Sequence, residues 1–189
     1  MEDRLTSEEK QALLQLARRT IEQCVRGGEL PALEPEGMTP RLKERGASFV
    51  TLTIRGQLRG CIGALEPYQP LVDDVREHAL AAALEDPRFP PVMPEELEQI
   101  EIEVSRLTLP QRLEYSTEAD LLMRLRPNID GVILRDGMSR ATFLPQVWEK
   151  IPNTAEFLDN LCMKMGAMPG TWRKKHLEVQ TYQVEEFHE

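Results

Sequence analysis

Two hairpin signatures constrain this chain more than any other feature. Ala47 to Arg55 and Leu58 to Ala64 are strand-like runs separated by Gly56-Gln57, and Gly131 to Arg135 and Ser139 to Leu144 flank Asp136-Gly137. Short turns of this kind favour glycine, because their central residues adopt positive φ. Val50, Leu52 and Ile54 give the first strand one apolar face. Ile100, Ile102 and Val104 alternate with Glu101, Glu103 and Ser105, the pattern of a strand wet on one side. A last strand is expected from Glu178 to Phe187. Strands that come in hairpins, not alternating singly with helices, form a mainly antiparallel sheet. The expected class is therefore α+β, with helices flanking the sheet.

The helices announce themselves by caps and stripes. Thr6 and Glu9 have capping-box spacing, and Leu13, Leu16, Ala17, Ile21, Cys24 and Val25 then share one face up to Gly27-Gly28. A second helix is expected from Leu71 to Glu85, with Val72, Val75, Ala79, Ala82 and Ala83 as its packing stripe. Asp86-Pro87-Arg88-Phe89-Pro90-Pro91 ends it, since three prolines cannot continue a helix. Ser116 to Leu125 is a further helix, and Asn153 with Glu156 opens another that Gly166 closes. Between the first two helices, 29–46 holds Pro31, Pro35 and Pro40 and reads as an irregular loop, expected to cover part of a binding cleft.

With 189 residues, 41% of them hydrophobic, the chain can bury one sizeable core. The expectation is one domain over 1–189, open to division into two lobes. No apolar run approaches the ~18 residues of a bilayer span. The opening MEDRLTSEEK lacks the basic-then-apolar layout of a secretion signal, and three cysteines without a C-x-x-C pair fit free thiols, so a cytoplasmic location is expected. A net charge of −9 disfavours nucleic acid, and Arg173-Lys174-Lys175 is too short a basic run to offset it. His78, His176 and His188 have no ligand spacing, so no metal site is expected, and no glycine-rich phosphate loop or other cofactor signature is present.

The segment Leu58-Arg59-Gly60-Cys61-Ile62-Gly63 marks a site. Two glycines in a strand cost entropy and offer nothing to pack, so something must approach the backbone closely there. Alternation would place Arg59, Cys61 and Gly63 on one face, with the guanidinium and thiol about 7 Å apart at ~3.3 Å per residue, unless a bulge at Gly60 breaks it. Over that distance Arg59 favours the Cys61 thiolate by roughly 0.6–2.4 kcal/mol, which alone activates it only moderately. A nucleophile also needs a base, and none is evident: His78 lies off the main stripe of its helix. Cys24 and Cys162 fall on apolar stripes and read as core. Asp86 and Arg88 read either as a loop ion pair or as cleft-rim groups facing Arg59. Gln146, polar in an apolar run, would orient a ligand or satisfy the start of a helix.

RGQLRGCIGALEP, HALAAALEDPRFPPV, IEIEVSRLT, GVILRDG and FLPQVW resemble, in that order, the blocks of the AMMECR-one family, whose bacterial members are called protein A of the AmmeMemoRadiSam system. The resemblance runs from about Ala47 to Tyr182. It implies an α+β fold of two unequal lobes with a cleft between them, and two partners: a Memo-type protein, related to metal-dependent ring-opening dioxygenases, and a radical-SAM protein. It implies no particular reaction.

Three functions remain open. One is an accessory protein whose cleft, centred on the 58–63 segment, binds a small anionic molecule or a partner through Gly60, Gly63, Asp86, Arg88 and Gln146. Another is a cysteine-dependent enzyme with Cys61 and Arg59 as catalytic residues. The third, a nucleic-acid-associated regulator, is opposed by the charge.

Overall fold

The computed structural model describes residues 4–33 and 38–189. Pro35 of the expected loop lies outside them. In chain order the elements are α1 (Ser7–Val25), β1 (Arg45–Ile54), β2 (Gln57–Gly63), β3 (Gln69–Pro70), α2 (Leu71–Leu84) and β4 (Ile100–Leu107). There follow β5 (Gln111–Arg112), α3 (Glu118–Arg124), β6 (Gly131–Asp136), β7 (Ser139–Phe143), α4 (Thr154–Lys164), α5 (Thr171–Lys174), β8 (Glu178–Tyr182) and β9 (Val184–His188). Both hairpins form, the β1–β3, β1–β4, β5–β8 and β6–β8 pairs are antiparallel as well, and the class is α+β as expected.

The chain divides into two compact units, Met1–Thr108 with Glu185–Glu189, and Leu109–Val184. In the first, the strands run β2-β1-β4-β9, and β3 pairs with the start of β1. Thr6 and Glu9 form the reciprocal capping box of α1. The stripes of α1 and α2 join Val50, Leu52, Ile100, Ile102 and Val104 in one core, so the two helices cover one face of this sheet. Thr51, Cys61 and Glu103 stand in one cross-strand row on the opposite face. β2 is an edge strand.

The second unit has the order β5-β8-β6-β7. Its core is built on Trp148 and Phe157, stacked with ring centroids 3.6 Å apart, with Leu134, Leu158, Leu161 and Cys162 around them. Gly131 lies opposite Tyr182, whose ring fills the space a Cβ would need.

The expected strand from Glu178 to Phe187 is two strands. β8 completes the second sheet and β9 the first, with the break at Gln183. The two halves are alike in residue type, and only the presence of two separate sheets divides them. Among the described residues, no helix is long and apolar enough to cross a membrane.

Candidate functional site

The 58–63 segment departs from simple alternation. Leu52 pairs with Gly60 but Thr53 pairs with Leu58, so Arg59 is the extra residue of a β-bulge. The bulge moves Leu58 to the face of Thr51 and Cys61, and Leu58 is exposed there. The expected shared face of Arg59 and Cys61 rested on unbroken period two, which the bulge removes.

Arg59 reaches into the loop after α2. Its Nε and Nη2 bind the Glu96 carboxylate at 2.7 and 2.9 Å, Nη1 donates to Pro90 C=O at 2.9 Å, and Nη2 also reaches Pro91 C=O at 3.3 Å. Its partner is thus a carboxylate of its own chain. Glu96 also accepts the Met93 N–H, and Arg59 first, then that bond, holds its carboxyl below the ordinary range against the opposing effect of burial.

The guanidinium beside Cys61 belongs to Arg88. Arg88 Nη2 donates to Cys61 C=O at 3.0 Å, and the thiol lies close enough to favour the arginine's charge. Asp86 completes the arrangement: its Oδ2 accepts the Cys61 N–H at 2.8 Å, while Arg88 grips both its oxygens at 2.9 and 2.7 Å. The Asp86 side chain is 2% exposed, that of Arg88 53%. Hydrogen bonds from Arg88 lower the Asp86 pKa far below the carboxylate range; burial opposes this and the amides of Cys61 and Arg88 add to it. Thus the 86–99 loop and β2 are riveted twice, by Arg59 from the strand and by Arg88 from the loop.

Cys61 is half-buried and its sulfur accepts from the Thr51 hydroxyl at 3.3 Å. Cys24 and Cys162 are buried core residues, and burial pushes both thiols up. The glycines answer the close-approach expectation with protein, not open space. A Cβ on Gly60 would lie 2.1 Å from the Ala82 carbonyl of α2, and one on Gly63 2.4 Å from the Phe49 ring and from Ser48 O. Asp86 and Arg88 do form the loop ion pair, and they are brought to Cys61. Gln146 sits exposed on a 3-10 turn, Pro145–Glu149, of the second unit.

Sequence reasoning missed Glu96, Thr51 and a buried trio. Ser48 Oγ donates to Asp74 Oδ2 at 2.6 Å, and His78 Nδ1 lies 3.1 Å from the same oxygen. All three are buried. His78 therefore stands beside Asp74, on the packed face of α2. The signal was available: 71, 74, 75, 78, 79 and 82 follow the helical period, so Asp74 and His78 extend the apolar stripe. Among the described residues, no cluster of histidine, cysteine and carboxylate could hold a metal.

A family model described as AMMECR1 matches residues 14–187. A protein of Methanothermobacter thermautotrophicus is 42% identical over 190 residues, covering 98% of this chain and 96% of its own length. One of Methanopyrus kandleri is 38% identical, covering 100% and 92%. The crystal structure of an uncharacterized protein from Pyrococcus horikoshii superposes with a TM-score of 0.72 at 35% identity, over 94% of this chain and 90% of that one.

Proposed function

The chain belongs to the AMMECR1 family, and from that premise we propose that it is a non-catalytic binding protein. Its working surface is the outer side of β2 around Cys61 and Arg88. There it takes a small anionic molecule or a partner, as an accessory to a Memo-type protein and a radical-SAM protein. The observation that carries this reading is the posture of Arg88: half exposed, yet fixed by Asp86 and by the Cys61 carbonyl. A cation already ordered in the free protein loses little rotamer freedom on binding. Catalysis by Cys61 is the weaker reading, because a nucleophile needs a base and the side chains described at its sulfur are a hydroxyl and a guanidinium.

Calorimetric titration of the Memo-type protein of the same organism tests it, after circular dichroism confirms each variant folded. Arg88→Glu is expected to weaken binding about tenfold or more, equivalent to ~1.4 kcal/mol, and Cys61→Ser to leave it nearly unchanged. Gly60→Val is unsuitable for this purpose, because its side chain would strike α2. No heat with either the Memo-type or the radical-SAM protein would overturn the accessory role. A folded Cys61→Ser variant that binds but abolishes a turnover would make the chain an enzyme.

A further inference from the structure

The register of β2 shows which of its backbone groups face outward. Ala64 N–H donates to Ser48 C=O at 3.0 Å, which makes Val50–Ile62 and Leu52–Gly60 hydrogen-bonded pairs as well. Thr51–Cys61 and Phe49–Gly63 are then the non-bonded pairs, so the N–H and C=O of Cys61 and Gly63 point away from β1. At Cys61 the Asp86–Arg88 loop takes both groups. At Gly63, the next outward position, the N–H has no partner among the described residues. Arg88 Nε and Nη2 make all of its side-chain bonds to oxygen, so Nη1 has the Cys61 thiol beside it and no described oxygen.

Arg88 is anchored at the Cys61 carbonyl, on the same outward edge of β2 as the Gly63 N–H. Successive outward positions on a strand are about 7 Å apart, and the Cys61 carbonyl, where Arg88 is anchored, lies on the Gly63 side of that interval. The chain already shows what chemistry suits such a spot. The Asp86 carboxylate bridges a β2 amide, Cys61 N–H, and the Arg88 guanidinium. One position further along, the same pair of donors is present without its carboxylate. Gly63 carries no side chain of its own, the Phe49 ring packs where one would stand, and the guanidinium is held in place by its other bonds.

We propose that Gly63 N–H and Arg88 Nη1 form a small oxyanion site on the open edge of β2, which takes a carboxylate or phosphate-type group. This rests on the binding-surface reading and specifies its ligand: the anion is held by Arg88 and a backbone amide, not by Arg59. The terminal oxygens of such a group replace the ladder partner that the edge strand lacks.

The test is a titration of the ¹⁵N-labelled protein with acetate, phosphate, sulfate and chloride at matched ionic strength, following the Gly63 amide resonance. A saturable Gly63 shift with an oxyanion but not with chloride is expected, weakened at least several-fold in Arg88→Gln. Saturation by acetate alone marks a carboxylate site, and by phosphate or sulfate alone a phosphate-type site; both support the inference. A Gly63 shift that is linear and alike for all four anions overturns it, as does an unchanged affinity in folded Arg88→Gln. Should Arg88→Gln fail to fold, the wild-type titration decides by itself. A silent Gly63 amide together with partner binding that Arg88→Glu abolishes would remove the oxyanion site while leaving the binding surface standing.

Discussion

Asp86 accepts the amide proton of Cys61 at 2.8 Å from a position almost wholly buried. The loop after α2 thereby acts as a one-residue strand against the edge of β2, with the Cys61 carbonyl answered by Arg88. An unpaired edge is a template for unwanted pairing, and this contact closes part of it with charged groups.

Removing that carboxylate should be felt in stability. Asp86→Ala leaves the Cys61 amide without its acceptor and Arg88 with only the Cys61 carbonyl, at a cost of about 2–3 kcal/mol. Asp86→Asn retains an oxygen for the amide and should cost less. Urea denaturation of the three proteins at neutral pH checks the order.

The same group sets an acid dependence. Asp86 and Glu96 both titrate lower in the folded chain than in the unfolded one. Their contribution is full above the unfolded carboxylate range, near 4, and is lost as pH falls toward the folded values. The stability gap between wild type and Asp86→Asn should therefore be constant from about pH 5 to 7 and shrink below about 4. A gap that persists unchanged at pH 3 would contradict the assignment.

Glycine substitutions should separate close approach from turn geometry. Gly60→Ala puts a methyl 2.1 Å from a helix carbonyl, and overpacking of that kind costs ~3 kcal/mol. Gly56→Ala meets nothing and incurs only the strain of φ +73°, about 1 kcal/mol. Thermal melts of the two single variants give the comparison.

The thiols should react in a fixed order. Under native conditions Cys61 is alkylated first, while Cys24 and Cys162 react only as the protein opens. Peptide-resolved mass spectrometry over a time course measures all three in one sample. Faster modification of Cys162 than of Cys61 would show that the core of the second unit is open.

Duplex DNA should not bind at physiological salt. The first unit carries 13 lysines and arginines against 23 aspartates and glutamates, and the second 10 against 9. Neither balance supplies the counterion release on which non-specific binding depends. Fluorescence anisotropy at two salt concentrations is the measurement, and micromolar affinity with a steep salt slope would revive a nucleic-acid role.

Much of the fold was legible in local pattern. The capping box at Thr6 and Glu9, the stripes of α1 and α2, the two hairpins and the alternation of β4 depend on residues within a turn or a strand of one another. Less legible was any feature that needs a register. Gly60 marks where a bulge can fall, but only the pairing with β1 places one at Arg59, turning Leu58 over and sending Arg59 to Glu96.

The sequence by itself determined that 58–63 is a strand in which the backbone is closely approached and that Cys61 stands apart from the two core cysteines, and it left Asp86 and Arg88 open between a loop ion pair and cleft-rim groups. The first two follow from steric and hydrogen-bonding rules acting over a few residues. Only the tertiary structure decided what does the approaching. Ala82 of α2 fills the space at Gly60, Phe49 fills that at Gly63, and Arg88, 27 residues on, supplies the cation at Cys61 that Arg59, two residues away, was expected to supply. The physical reason is that a strand edge offers its amides to whatever the chain folds back against it, and the identity of that neighbour is set by packing between distant segments.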